Sequence, residues 1–319
     1  MSRDAATVVR GAATHRPLSG PDETEAQHGA VATHWAPALG LPLAEVAGCR
    51  LVDELASGGH AVVYRGWQPL LRRYVAIKAL TSEAQAEPAL VDGFVSEARL
   101  LAQLAHPNLP QVHDLVSAHA GLFMVMELCD GVDLQDVLAR QPALPWPAAL
   151  AVFAQAARAL SHVHRRRVVH ADIKPANLIL TGSGLVKLVD FGLAQRVGDT
   201  LPASLRATPA YQSPEHAVEP APPLHSTSDQ YSLALVLQQM LTGTHSRCVL
   251  PPEQLAHLPE ALMRLLVRCL APDPSDRFSC MEDVVAAAEA LVGPDAARRE
   301  IEQVRALLTL LQQPTVPLP

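Results

Sequence analysis

Residues 168–180 concentrate side chains that could perform phosphoryl-transfer chemistry. His170, Asp172, Lys174 and Asn177 lie in one loop between two apolar, strand-like pieces, and a plain connecting turn does not need such a mixture. A phosphoryl-transfer site has to cradle phosphates, hold Mg²⁺ and place an acceptor hydroxyl in line with the transferred phosphate. This loop is therefore the first candidate for a catalytic segment.

A second acidic motif follows at the spacing of a hairpin. Asp190 begins an Asp-Phe-Gly sequence thirteen residues after Asn177, directly after an apolar strand predicted at 185–189. A carboxylate and a carboxamide delivered together are hard oxygen ligands of the kind that suits Mg²⁺. The two motifs predict a metal site formed by Asn177 and Asp190.

Two features upstream fit the same chemistry. Lys78 lies within the apolar strand 74–80, where an unpaired ammonium would be costly, and Glu97 in the next helix is available to pair with it. The alternative is that Lys78 extends to solvent along its apolar stem. Residues 56–61 are small enough for backbone N–H groups to approach phosphate oxygens, although on their own they favour a plain hairpin turn.

The elements that must position these residues fall into two groups. In the part of the chain before Cys129, strand patterns and the pattern of one long helix at 89–104 predict a small antiparallel β lobe. After Cys129-Asp130-Gly131 the apolar spacing becomes helical, which predicts a larger, mostly helical lobe and an α+β, bilobal fold. The predicted strands are 51–55, 61–64, 74–80, 111–116 and 122–127, and the later helices are 133–140, 147–165, 229–242, 260–270 and 280–292.

The chain ends differ from this pattern. Residues 1–46 are rich in Ala, Gly, Pro, Thr and His without periodicity, so we expect a disordered leader with at most a short helical turn at 43–46. Residues 294–319 contain an amphipathic helix at 301–311 and a proline-rich tail. The folded domain is predicted at 47–293, with an N-lobe at 47–127, a hinge at 128–131 and a C-lobe at 132–293.

Composition excludes several classes of function. The formal net charge of −7 argues against a general nucleic-acid or anionic-membrane binder, and no stretch is long and apolar enough for a membrane span. The five cysteines are scattered and form no C-x-x-C pair, which indicates reduced thiols in the cytoplasm. The basic run 165–167 ends a predicted helix, where positive charge complements the helix dipole; docking of acidic substrates is the alternative.

Taken together, the motifs resemble the signature set of eukaryotic-like (Hanks-type) serine/threonine protein kinases, with features of the bacterial branch. The resemblance runs from Cys49 to Val292. It includes the small-residue loop, Val-Ala-Ile-Lys ending at Lys78, the His-Ala-Asp loop and Asp-Phe-Gly, and it continues in three segments downstream. These segments are 208–215, 228–233 and 273–278.

The resemblance implies a role for each matching residue. Asp172 would be the catalytic base and Lys174 would steady the γ-phosphate, while Lys78, paired with Glu97, would bind the α- and β-phosphates. Asn177 and Asp190 would hold Mg²⁺, or Mn²⁺ in its place. The residues implied in binding ATP are Ala56, Gly58, Gly59, Ala61, Val63, Ala76, Lys78, Met126, Glu127, Cys129 and Ile179. Two structural roles are also implied: an ion pair of Glu215 with Arg277, and anchoring of the catalytic loop by Asp229.

The sequence departs from the family pattern at alanines. Ala56 and Ala61 replace the first and third loop glycines, and because alanine excludes conformations with φ > 0, we expect modestly weaker nucleotide binding. Ala171 replaces the arginine that receives the phosphate of a phosphorylated activation loop. Ser204 occupies the usual phosphorylation position, so we expect activity that does not depend on phosphorylation of this loop.

These features predict an ATP- and Mg²⁺-dependent kinase acting on Ser/Thr hydroxyls of protein substrates. One alternative is a pseudokinase that binds nucleotide as a scaffold, which the altered loop and Ala171 favour. A small-molecule phosphotransferase of the aminoglycoside-kinase type is another, and Ser213-Pro214-Glu215, which resembles a peptide-docking segment, argues against it. We expect any activating signal to arrive through a separate regulatory partner, and the sequence does not indicate the oligomeric state.

Overall fold

The structure is a computed structural model, and it describes residues 35–36, 41–42, 45–118, 121–200, 209–217, 220, 222–246, 250–251, 255 and 257–312. The chain folds as two compact units. Of the described residues, the first unit contains those up to Ala105 together with Pro110–Cys129, and the second contains His106–Leu109 and those from Asp130 onward. The lobe and hinge limits predicted above stay a proposal.

The first unit is built on an antiparallel sheet. Two short strands, β1 (Trp35–Ala36) and β2 (Leu41–Pro42), pair separately with each other. The six strands of the main sheet are β3 (Glu45–Val46), β4 (Cys49–Ser57), β5 (Ala61–Gln68), β6 (Arg73–Leu80), β7 (Val112–Ala118) and β8 (Gly121–Glu127). Their order is β3-β4-β5-β6-β8-β7, so β6 is an interior strand with partners on both sides.

Burial explains why these segments form strands. The last six residues of β6 are buried, and β-branched and aromatic side chains such as Val62, Ile77 and Phe123 are fully buried in the sheet's core. Two helices of this unit lie in the described part of the chain, α1 (Ser82–Gln85) and α2 (Pro88–Ala102). The buried face of α2 carries Phe94 and Leu101 at helical spacing.

The predicted leader contains regular structure at its end, which is a correction. Glu45–Val46 is strand β3, paired antiparallel with β4, and Val46 is 3% exposed, so the predicted helical turn is wrong at these residues. Burying an apolar side chain on the sheet stabilises the strand, whereas an isolated helical turn of four residues is not stable alone. Residues 1–34, 37–40 and 43–44 of the leader lie outside the described residues.

The second unit is mostly helical, as predicted. Its helices in the described residues are α3 (Leu134–Arg140), α4 (Trp146–His164), α5 (Ser226–Thr242), α6 (Glu260–Cys269), α7 (Met281–Val292) and α8 (Ala296–Gln312). Fourteen of the nineteen residues of α4 are buried, so α4 is the central helix of this unit. Within the described residues, no helix is long and apolar enough to cross a membrane.

Short strands position the loops of the second unit. Three of them, β9 (Gly131–Asp133), β11 (Leu178–Thr181) and β12 (Val186–Leu188), form an antiparallel sheet with β11 in the middle. Two others, β10 (Val168–Val169) and β13 (Gln195–Arg196), pair with each other. The hairpin of β11 and β12 connects the segment that contains Asn177 to the segment that contains Asp190.

Candidate active site

Lys78 and Glu97 form a buried ion pair in the first unit. Nζ of Lys78 donates to both carboxylate oxygens of Glu97, at 2.7 and 2.9 Å, and the two residues are 6% and 7% exposed. Lys78 is fixed in β6, and Glu97 lies on the buried face of α2 beside Ala98. The predicted pairing is therefore present, and the alternative of a solvent-extended lysine is wrong.

An apolar cluster lies close to Lys78 in the same sheet. Ala56, Val63 and Ala76 are buried together, and the half-buried Met126 and Leu128 pack against them. Strand pairing explains the grouping, because Val63 lies opposite Ala56 on one side and opposite Lys78 on the other. Such a cluster offers an apolar surface of the kind that a flat aromatic ring can contact.

The turn at 57–60, between β4 and β5, is open. The amide of Gly58 donates to the carbonyl of Ala61 at 2.8 Å, and a Cβ added at Gly59 would meet no atom within 4 Å. Ala56 and Ala61 are buried strand residues and neither has a positive φ. The two alanines therefore cause no backbone strain here, and the conformational reason for expecting weaker binding does not apply to this structure.

Glu127 and Cys129 end the first unit. The amide of Glu127 donates to the carbonyl of Gln111 at 2.8 Å, so that donor is already used within the sheet. The thiol of Cys129, half-buried, lies 4.0 Å from the carbonyl of Glu127. A ligand at this segment would therefore find the Glu127 carbonyl rather than its amide.

Asp172, Lys174 and Asn177 form one buried cluster in the second unit. Nζ of Lys174 donates to Oδ2 of Asp172 at 2.7 Å. Nδ2 of Asn177 donates to the carbonyl of Asp172 at 2.8 Å and lies 3.2 Å from its Oδ2. The tight turn Pro175–Asn177 brings Asn177 back to the carboxylate, and all three residues are at most 6% exposed. The arrangement joins a carboxylate, an ammonium group and an amide.

The Asn177 side chain keeps one oxygen for a ligand outside the protein. Its Oδ1 is buried and has no hydrogen-bond partner among the described residues, whereas its Nδ2 contacts two oxygens of Asp172. A buried oxygen without a partner costs about 1–3 kcal/mol unless a ligand satisfies it. A hard oxygen donor of this kind fits Mg²⁺, so the residues present are compatible with the predicted metal site.

Asp190 lies two residues after β12, the second strand of the hairpin. The amide of Val189 donates to the carbonyl of Asn177 at 3.0 Å, which ties the two ends of the hairpin together. Asp190 itself has a φ of 65°, a backbone conformation that non-glycine residues adopt at a cost and that is concentrated at functional sites. Ile179, in the middle of β11, is 1% exposed.

The loop that contains His170 and Asp172 is anchored from α5 by Asp229. Its Oδ2 accepts from the amide of His170 at 2.8 Å, and its Oδ1 accepts from the amide of Ala171 at 2.9 Å. His164 lies 2.8 Å from the same Oδ2. Although burial alone would raise the pKa of Asp229, the His164 hydrogen bond and the charges of His164 and His170 hold it below its ordinary value.

Two further contacts are present, a contact of His170 that was not predicted and the predicted pair of Glu215 with Arg277. The ring of His170 meets Phe191 edge-on at 4.5 Å, and its Nε2 lies 3.2 Å from the carbonyl of Val189, which joins the loop to the Asp-Phe-Gly segment. Glu215 and Arg277 form a two-pronged ion pair with both N–O distances at 2.8 Å. Ser204 lies outside the described residues.

Sequence reasoning missed the residues that support the hairpin. Asn108 and Gln155 are hydrogen-bonded to each other at 2.9 Å. Asn108 also donates to the carbonyl of Val186, and Gln155 accepts from the Val186 amide. Gln155 could have indicated this contact, because it is a polar residue within an apolar helix and a buried amide needs hydrogen-bond partners. His164, six residues before His170, carried no comparable signal.

Comparison with known proteins gives a consistent result. Residues 49–287 match the protein kinase domain family. The chain is 30% identical to serine/threonine-protein kinase PknH of Mycobacterium tuberculosis over 285 residues, which cover 83% of this chain and 44% of PknH. It is 36% identical to PknA of the same species over 204 residues, 61% of this chain and 46% of PknA.

A solved structure is similar as well. The crystal structure of a mutant PknI kinase domain from Mycobacterium tuberculosis has a TM-score of 0.60 and 29% identity, and the similarity covers 79% of this chain and 99% of that one. The aligned part of the chain spans less than half the length of the curated relatives. The chain belongs to the protein kinase domain family, in the group of bacterial Hanks-type serine/threonine kinases.

Proposed function

We propose that this chain is an active protein kinase that transfers the γ-phosphate of ATP to serine or threonine hydroxyls of protein substrates. The observation that carries the proposal is the buried cluster of Asp172, Lys174 and Asn177, with one Asn177 oxygen left for a ligand. A scaffold that only binds nucleotide has no need of a base and a cation held 2.7 Å apart.

The acceptor hydroxyl would be handled by Asp172. Its carboxylate would accept a hydrogen bond from the substrate hydroxyl and orient that oxygen towards the γ-phosphate. As the new oxygen–phosphorus bond forms, the bond from the γ-phosphorus to the β–γ bridging oxygen would break, ADP would leave, and Asp172 would take the hydroxyl proton. Lys174, beside Asp172, would place a positive charge where negative charge develops on the γ-phosphate. Burial strengthens this charge interaction because water screens it less.

The phosphates and the base of ATP would be held by the first unit. Lys78 would contact the α- and β-phosphates, and the Glu97 carboxylate fixes its position. The turn containing Gly58 and Gly59 would present backbone N–H groups to the phosphates. Adenine would contact the cluster of Ala56, Val63, Ala76 and Met126, and would also hydrogen-bond to backbone groups near Glu127 and Cys129.

The metal is proposed at Asn177 and Asp190. Mg²⁺, or Mn²⁺ in its place, would neutralise phosphate charge there when bound. The amide orientation of Asn177 is set by its hydrogen bond to Asp172, so Oδ1 is the atom available to the ion. Asp190, whose φ is positive, follows the same hairpin and would supply the second ligand.

Regulation is proposed to be independent of activation-loop phosphorylation. Ala171 cannot bind a phosphate, and Asp229 holds the amides of His170 and Ala171. The loop therefore has an anchor that needs no phosphate. A separate partner protein would supply any activating signal. A cytoplasmic location is proposed on the five scattered cysteines, which form no C-x-x-C pair.

Labelled ATP, Mg²⁺ and a generic protein substrate test the proposal directly. Wild-type protein should transfer label, and Asp172→Asn should lose activity by at least about 100-fold, because the base is replaced by a group of the same shape that cannot accept the proton. Circular dichroism should show that both proteins are folded. Binding of nucleotide without transfer by the wild type would instead support the pseudokinase.

A further inference from the structure

Helix α8 lies beyond the part of the chain that matches the kinase family. The match ends at residue 287, and α8 spans Ala296–Gln312. Val304 and Leu307 are buried on one face of this helix, which packs against α4 and α7. The helix is thus docked on the second unit by an apolar stripe, as its predicted amphipathic pattern requires.

A buried carboxylate fixes the register of this docking. Glu300 is 0% exposed, and both its oxygens receive the guanidinium of Arg158 from α4; the Nη1–Oε1 distance is 3.2 Å. Arg158 also contacts Glu289 of α7 at 3.0 Å. Burial raises the pKa of Glu300 despite the opposing effect of Arg158. A charge buried in this way favours one docked position, because sliding α8 would leave the buried Glu300 carboxylate without Arg158.

The same helix contacts the turn of the β11–β12 hairpin. Nε of Arg305 donates to the carbonyl of Ser183 at 2.9 Å. The approach at Gly184 is so close that an added Cβ would lie 2.5 Å from the carbonyl oxygen of Ile301. Gly184 has a φ of 86°, so both its conformation and its closeness to α8 require glycine.

The opposite end of this hairpin carries the proposed metal ligands. Asn177 directly precedes β11, and Asp190 follows β12 by two residues. Gln155 of α4 also holds the turn, by donating to the Gly184 carbonyl at 3.1 Å. Movement of the turn would therefore be transmitted along two short strands to both ligands.

We infer that α8 is a positioning element of the catalytic domain: through Glu300 and Arg305 it fixes the β11–β12 hairpin and thereby the spacing of Asn177 and Asp190. The effect on metal use rests on the proposed function, whereas the effect on the hairpin does not. Arg305 and Glu300 touch no reacting group in this scheme and act through the hairpin.

Full-length variants test the inference. Arg305→Ala removes a hydrogen bond from an exposed residue, and Glu300→Gln removes the buried charge; Arg298→Ala, at an exposed position of the same helix paired with Glu302, is the control. Without nucleotide, amide hydrogen exchange at 178–188 should accelerate about threefold in Arg305→Ala and more in Glu300→Gln. Arg305→Lys should restore much of the protection.

Kinase assays provide the second readout. The Mg²⁺ concentration for half-maximal transfer should rise about threefold in Arg305→Ala, while the KM for protein substrate stays unchanged. Unaltered hairpin exchange in both test variants would overturn the inference, and so would an equal effect of Arg298→Ala. Faster exchange without any change in Mg²⁺ requirement would overturn its catalytic part. If wild type transfers no phosphate, the proposed function fails and hydrogen exchange alone decides the inference.

Discussion

Replacing Asp229 by asparagine should destabilise the second unit and disorder the catalytic loop. The carboxylate accepts three hydrogen bonds, from the amides of His170 and Ala171 and from the ring of His164. Asparagine is the same size but has only one accepting oxygen. In either orientation, at least one of these donors would then face an NH₂ group instead of an acceptor.

The magnitude follows from these contacts. One unsatisfied donor costs about 1–3 kcal/mol, and the remaining hydrogen bonds become weaker because their acceptor is no longer charged. We therefore expect Asp229→Asn to lower the free energy of unfolding by about 3 kcal/mol. For a domain of this size that corresponds to a fall in Tm of about 6–12 °C. Thermal unfolding at pH 7 measures it, with Asp276→Asn, at an exposed turn position, as the control.

The pH dependence gives an independent check on Asp229. The pKa of Asp229 is lower in the folded chain than its ordinary value of 3.8. The carboxylate therefore stabilises the fold above pH 3.8, and this stabilisation is lost as the pH falls through the folded pKa. The difference in Tm between wild type and Asp229→Asn should therefore become smaller at low pH. Equal Tm values for the two proteins at pH 7 would refute the anchoring role.

Three other perturbations have defined outcomes. Arg167→Gly should raise the free energy of unfolding in urea by about 0.5–1 kcal/mol, because Arg167 has a φ of 59° and glycine adopts positive φ at lower cost. The control Arg166→Gly should not raise it, and a lower urea midpoint for Arg167→Gly would contradict this prediction. Burial, followed by the charge of His162, lowers the pKa of His106 to about 4 in the folded chain. As the pH falls from 6.5 to 4, the unfolded chain therefore binds a proton at His106 that the folded chain does not, and the free energy of unfolding decreases. His106→Asn should flatten this drop in Tm measurements, and an unchanged slope would refute the assignment. Ser204→Ala should retain most of its rate of ATP-dependent transfer, since Ala171 cannot receive a phosphate; a large loss would show that the loop switch operates.

Much of the fold could be predicted because the patterns are local. The apolar run of β6 and the helical spacing of α2 and α4 depend on near neighbours, and each appears where the sequence places it. β3 was missed because its stability comes from pairing with β4, which a two-residue segment does not reveal. The amphipathic pattern of α8 was visible, but not the surface it docks against.

The site was partly predictable for the same reason. Asp172, Lys174 and Asn177 are close in sequence, so their loop brings them together without long-range information. The pairing of Arg158 with Glu300 joins residues 142 positions apart, and neither residue type signals the other. His164 was missed because its partner Asp229 lies on another helix and histidine is common in this chain.

The most direct test of the central claim is to identify the phosphorylated product. Wild-type protein, Mg²⁺ and ATP labelled at the γ-phosphate should yield protein-bound label on serine or threonine, located by mass spectrometry, and folded Asp172→Asn should yield none above background. A folded wild-type protein that binds ATP but transfers no phosphate, or an equal yield from Asp172→Asn, would contradict the account.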